Sequence, residues 1–450
     1  MTAPPTDVEP AGVGSSPARL LAALLALFAA LGLWKVGRGH DGFDFYQFWV
    51  VGQAVSEGLV DDVYDDADRA KMGAVFHERA RSAGAGSRRA NVAERRTFIK
   101  TWSTPFLYTA FGALASGDYE RDYTRFQALC LASTIVAVLL LARAFGWRMP
   151  AALLALAVLL QSFTPLLADV RAANVNQVQL LGVTLCLVLA GRRAAAALVA
   201  AGAVLGLSCA FKPNLGLVVI VLGGLELARR RWSRIGLLGA GLALGAGAAV
   251  LASAVHFGGF GAWLDWAAFL REALYDPERA MTVAHGNASI DRLVLEATGA
   301  RVGTLLGLVL LVLVGLVLWR RRCAAPALSA PPRPSGAPEA PGAALEVGWL
   351  VALALCVGLL MAPLTFGHYY VFAIPAVLYC LRPAAPAASA GARHAVGALA
   401  LAAFFAPQLL AGSGALAEMG ELKGWLFSAT TAVLFATLLA SAPLGPDQSA

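Results

Sequence analysis

The 450-residue chain is 58% hydrophobic and only 14% charged, with a mean hydropathy of +0.67. A soluble domain of this size needs far more polar surface, so the composition excludes one and points to an all-α polytopic membrane protein. The net charge is +7, and the six cysteines fall in apolar blocks or a basic linker, so neither a disulfide framework nor a Cys/His zinc site is expected.

Residues 1–18 read as a polar cytoplasmic tail without a basic n-region. The apolar block near 19–36 has no clear small-residue cleavage site and is expected to be a retained helix. Further apolar blocks lie near 126–142, 151–168, 177–191, 195–210, 214–228, 235–255, 301–319, 346–363, 369–382, 394–412 and 425–442. Together they predict about twelve transmembrane helices, rich in small residues that allow close helix approach. The short linkers carrying Arg143/Arg148, Arg192/Arg193, Arg229–Arg231/Arg234, Arg320–Arg322 and Arg382/Arg393 then fall on one side. The positive-inside rule makes that side cytoplasmic, with both termini.

One block departs from the alternation. TPFLYTAFGALAS, residues 104–116, is too short to cross and is read as an interfacial or re-entrant helix within a large first outer loop, 37–125. A second outer loop spans 256–300. The Pro/Ala-rich stretch 320–345 reads as a cytoplasmic linker between an N-terminal module, 19–319, and a C-terminal module, 346–442, followed by the tail 443–450. No internal repeat stands out. The Ala/Arg-rich composition fits a GC-rich bacterial genome and hence a multi-pass protein of the bacterial inner membrane.

On this topology the polar residues collect on the outer side: Asp41 and Asp44 in GHDGFDFYQFWVVGQAV, the acidic turn VDDVYDDAD, Asp169, Arg171, Asn174, Asn176 and Gln177 in LADVRAANVNQ, Lys212 and Asn214 in FKPN, then His285, Asn287 and Asp291, and His368, Tyr369 and Tyr370 in TFGHYY. Each also has a bland reading. Asp44 with Gln47 fits a helix N-cap and capping box. Trp49 and its aromatic neighbours fit an interfacial belt. Asp41 and the acidic turn fit solvated surface, Arg171 a snorkelling helix end, and His368 a hydrogen-bonded histidine. Lys212 is harder to explain structurally. It sits between two apolar runs, Pro213 unwinds the turn, and an ionisable residue at this depth is a functional candidate suited to an anion such as phosphate.

Several stretches resemble glycosyltransferase family 87, the polyprenol-phosphate-sugar-dependent mannosyltransferases of GT-C type. DFYQFWVVGQAVSEGLVDDVYD (44–65) resembles the family's opening signature, and STPFLYTAFGALAS (103–116) its Pro-containing juxtamembrane helix. NVNQVQLLGVTLCLVLAGRR (174–193), AGAVLGLSCAFKPNLGLVVIVL (201–222), HGNASIDRL (285–293) and GHYYVFAIPAVLYCL (367–381) resemble later motifs in the same order. The usual Gly before Gln is missing in NVNQ, and loop 69–100 is longer and more basic than the pattern.

The resemblance implies a membrane enzyme moving a sugar, mannose in the family's pattern, from a polyprenyl-phosphate donor to a glycolipid or glycan acceptor on the outer side. Asp44 would be the general base in an inverting displacement. Lys212, Arg171 and His368 would hold the donor phosphate. Asp41, Trp49, Asn174, Gln177, Asn287 and Tyr369 make up the wider substrate-contact set, with the aromatics around Asp44 seating the loop on lipid. No metal, cofactor or nucleic-acid partner is expected. The competing readings are a lipid-linked-sugar flippase or transporter and a polysaccharide ligase or polymerase.

Overall fold

The computed structural model describes residues 16–82, 84, 86–192, 194–275, 287, 289–324, 342–383, 389–410 and 420–441. His285, most of the 320–345 linker and both chain ends lie outside them. The described elements are helical, apart from one isolated bridge between Asn287 and Phe366.

Helix α1 (Ser16–Arg38) leads into a unit of short helices formed by α2 (Phe43–Ser56), α3 (Asp66–Ser82), α4 (Arg88–Glu94) and α5 (Pro105–Leu114). Its core is aromatic. Phe45, Tyr46, Trp49, Phe76 and Tyr119 are all buried and meet edge to face, and buried Tyr108 lies tilted against Tyr64. The aromatics after Asp44 therefore do not seat the loop on lipid. FYQFW carries bulk on every side of α2, and a helix apolar all round is buried rather than laid on a surface. α5 starts at Thr104, which caps it, and crosses α2 where Gly52 meets the Gly112 backbone; a Cβ on Gly52 would lie 2.5 Å from Gly112 N.

The bundle continues with α6 (Tyr119–Ala144), α7 (Met149–Ser162), α8 (Thr164–Ala172), α9 (Asn176–Ala190), α10 (Ala195–Phe211), α11 (Gly216–Ala228) and α12 (Trp232–His256). α7 and α8 meet at a 59° bend. α10 and α12 touch backbone to backbone through Gly202, Gly206, Gly241 and Gly245, where any Cβ would fall within 2.3 Å of a carbonyl oxygen. After α13 (Gly261–Tyr275) and α14 (Ile290–Thr298) come α15 (Gly303–Ala324), α16 (Gly342–Met361), the 3-10 segment Gly367–Ala373, α17 (Ile374–Leu381), α18 (Ser389–Leu410) and α19 (Gly420–Ala440).

Among the described residues seven helices, α1, α6, α12, α15, α16, α18 and α19, are long and apolar enough to cross a membrane, or eight if the bent α7–α8 pair is one span. The expected figure of twelve counted α9, α10, α11 and the 367–381 segment as well. At 15 residues α9 reaches only about 22 Å at 1.5 Å per residue, short of the ~30 Å hydrocarbon core.

Two ends of the bundle differ in chemistry. At one, Arg229 pairs with Glu346, Arg234 donates to the Ala190 carbonyl, Arg393 donates to Cys380 O, and Tyr379 donates to Ser441 O. The short basic linkers around these residues share this end. At the other, Arg38 donates to Thr124, Thr104 to Ala210 O, and Gly303 lies against Met361 and Asp291. Residues on both sides of the 320–345 linker enter one hydrophobic core.

Candidate active site

The end away from the basic linkers gathers the polar side chains. α2 is launched by Gly42, whose φ of 70° is a left-handed conformation and whose Cβ would strike the Tyr123 ring at 2.2 Å. Asp44 thus lies inside the first turn rather than at the cap. No side chain caps this helix, and Gln47 Oε1 accepts from the Lys100 backbone instead of closing a capping box. That corrects the capping reading and leaves the Asp44 carboxylate for the cluster.

A second element comes from the junction of α8 and α9. Ala173 sits buried at φ 55°, a left-handed turn unusual for a residue with a Cβ. The turn aims Asn174 at Asp44: Asn174 Nδ2 donates to Asp44 Oδ2 at 2.7 Å and lies 3.4 Å from His368 Nε2. Asn174 Oδ1 accepts from Val175 N at 2.8 Å and from Lys212 Nζ at 3.3 Å. Two donors face the oxygen and a carboxylate faces the nitrogen, so the partners fix the amide's orientation.

Lys212 ends α10 because Pro213 cannot donate the next helical bond. It is extended, at φ −157°, and its ammonium turns back to Asn174 and, at 3.1 Å, to Asn176 Oδ1. It also lies 4.0 Å from the centroid of the Tyr369 ring. Beneath it, fully buried Asp169 accepts from Asn176 Nδ2 at 2.8 Å and Gln177 Nε2 at 3.0 Å, and Gln177 Oε1 accepts from Thr134. This continuous network holds the ammonium from below, as a buried charge requires.

His368 enters on the 3-10 segment, stacked on Phe366, with Nε2 3.8 Å from Asp44 Oδ2. An unprotonated Nε2 accepts from Asn174, whereas a protonated Nε2 faces Asp44 as a cation, so one neutral tautomer does not serve both contacts. Asp44 and His368 keep 19% and 13% of their side chains exposed, so the cluster is reachable from outside.

Of the expected residues, Asp44, Asn174, Lys212, His368 and Tyr369 come together, and Gln177 supports them. The others stand apart. Trp49 is buried with its N–H donating to Asp122 at 3.1 Å, a core residue of the α2–α5 unit. Asp41 lies just before α2, its carbonyl accepting from Tyr119 Oη. Arg171 is exposed on the last turn of α8, and among the described residues no hydrogen bond or ion pair ties it to the cluster. Asn287 is a clamp: Oδ1 accepts from Ser289 N and Thr365 N, and Nδ2 donates to Pro363 O, fixing the chain that leads to His368.

The sequence reading missed the roles of Asp169 and Asn176, and two further cations. Arg96 packs over Phe43 at 5.3 Å; burial pulls its guanidinium below the ordinary value while the Asp44 charge pushes it back up. Lys423, at the start of α19, approaches Gly367 beside His368. The basic character of loop 69–100 was the available signal for Arg96.

A family model described as glycosyltransferase family 87 matches residues 104–332, just over half of the chain. The matched segment holds Asp169, Asn174, Asn176 and Lys212, while Asp44 and His368 lie on either side of it. No curated protein and no solved structure gives a significant match.

Proposed function

The chain belongs to glycosyltransferase family 87, and on that premise we propose that it moves mannose from a polyprenyl-phosphate donor to a glycolipid or glycan acceptor at the outer face of a bacterial inner membrane. The observation that carries this reading is the shared Asn174 amide, which couples a carboxylate to an ammonium at one end of an apolar bundle. A transferase using a lipid phosphate needs that pair. The base must meet an acceptor arriving from water, and the cation must meet a phosphate at headgroup depth.

In this mechanism Asp44 takes the proton of the acceptor hydroxyl as its oxygen attacks the anomeric carbon. The bond from that carbon to the phosphate oxygen breaks on the opposite face, which inverts the configuration. The electron pair leaves with the polyprenyl phosphate, and Lys212 stabilises the charge. His368 accepts from Asn174 through Nε2 and so helps hold the amide that donates to the base. A positioned general base supplies about 10²–10⁴-fold. A flippase would place its polar site near the midplane; this cluster lies at the ends of α8, α9 and α10, against the first turn of α2, which favours the transferase reading.

The test is to incubate detergent-purified protein with radiolabelled polyprenyl phosphomannose and a set of glycolipid acceptors. Labelled product supports the reading. Movement of the donor across liposomes without sugar transfer would replace it with the flippase.

A further inference from the structure

A cavity of about 270 Å³ opens between α3, residues 98–102 and α13, and none of its lining residues belongs to the Asp44 cluster. At ~30 Å³ per water it holds roughly nine waters, the scale of one or two sugar rings. Phe98, Trp102 and Phe269 line it, with Arg69, Lys100 and Glu272 between them. Phe98 is 40% exposed, whereas the rings of Phe45, Tyr46, Trp49, Phe76 and Tyr108 are buried.

The polar groups are built in rather than incidental. Arg69 is held on three sides: Nε donates to Ile99 O at 2.9 Å, a terminal nitrogen pairs with Asp66 at 2.7 Å, and the guanidinium lies 4.4 Å from the Phe98 ring centroid. Lys100 lies over Trp102 at 5.4 Å. Two cations are matched by two carboxylates, Asp66 and Glu272, so the lining is close to neutral overall. A phosphate would want an excess of positive charge. Aromatic rings with balanced hydrogen-bonding groups suit a neutral polyol instead, because the C–H faces of a pyranose pack on rings while its hydroxyls meet ions.

The same loop also reaches the Asp44 cluster. Arg96 packs over Phe43, the residue before Asp44, the Lys100 backbone donates to Gln47 one turn beyond Asp44, and Thr104 donates to the Ala210 and Phe211 carbonyls beside Lys212. We propose that this cavity is a saccharide subsite that holds the sugar chain of the acceptor while its terminal hydroxyl meets Asp44. The inference rests on the transferase reading for its purpose but not for its chemistry.

The experiment is a calorimetric titration of the detergent-purified full chain with mannotetraose and with maltotetraose, which needs no donor. Saturable binding of either by the wild type, weakened about tenfold by Trp102→Ala and by Lys100→Ala and retained by Trp102→Phe, supports the subsite. Lys100 is exposed, so its variant stays informative if Trp102→Ala misfolds. No saturable heat with either sugar, or equal binding in wild type and both alanine variants, overturns the inference. In the transfer assay the two alanine variants should raise acceptor KM more than they lower kcat. Binding that follows the expected pattern in a wild type that transfers nothing would leave the subsite standing and remove the transferase reading.

Discussion

Asp44 and Lys212 grip opposite ends of one side chain. The Asn174 amide donates to the carboxylate at 2.7 Å and accepts from the ammonium at 3.3 Å, although the three residues come from three separate elements. The geometry makes Asn174 a positioning residue whose loss should disturb base and cation together. Asn174→Ala is expected to lower kcat about 10–100-fold, the scale of an ångström of misplacement. Asn174→Asp should be worse, because it sets a second carboxylate against Asp44. Steady-state kinetics of both variants test this, and a change in KM alone would contradict it.

Asp169 supports the same network from below. Both its oxygens accept amide N–H groups, from Asn176 and Gln177. Asp169→Asn would turn an N–H₂ toward one of those donors and free Asn176 from its place under Lys212. Leaving buried donors unmatched costs about 1–3 kcal/mol. The expected result is a lower melting temperature and a raised donor KM; an unchanged donor KM would show that Lys212 does not depend on this support.

α3 and the loop carrying Arg96 are in backbone contact. A Cβ on Gly73 would lie 1.9 Å from Thr97 O, which no side-chain movement relieves. Gly73→Ala should cost about 1–3 kcal/mol as an overpacked site and displace the loop between the cavity and Asp44. Thermal melting and transfer activity should fall together.

The acidic turn gives a pH signature. Burial holds Asp62 above the ordinary carboxylate range, the Tyr64 N–H opposes this, and Asp265, Asp65 and Asp68 add to the rise. With the folded pKa above the unfolded one, the folded state binds the proton more tightly. The resulting stability is full below the unfolded pKa and is lost as pH rises through the folded pKa. Asp62→Asn keeps an oxygen for Tyr64 N and should raise the melting temperature at neutral pH while flattening its pH dependence. A lower melting temperature at neutral pH would refute this.

Much of the cluster was legible because ionisable groups beside apolar runs are conspicuous: Lys212 before a proline, His368 before two tyrosines, Asp44 within eight residues of an apolar block. The pairing was not, because it depends on the left-handed turn at Ala173, and nothing in an alanine announces one. Asp169 was visible as an acid near a helix end, but its role follows from two amides folded back onto it. Trp49 was misplaced for a different reason. Aromatics at a membrane boundary suggest a belt, yet their spread around every face of α2 already argued for a core. The count of about twelve is not confirmed where apolar blocks form helices of 13–17 residues, shorter than a full crossing requires.

The most direct measurement is the transfer rate of Asp44→Asn from polyprenyl phosphomannose, with folding checked by its melting temperature. The substitution keeps the shape and removes the base, and a fall of about 10²–10⁴-fold in kcat is predicted. Near-normal turnover in a well-folded Asp44→Asn protein would contradict the account.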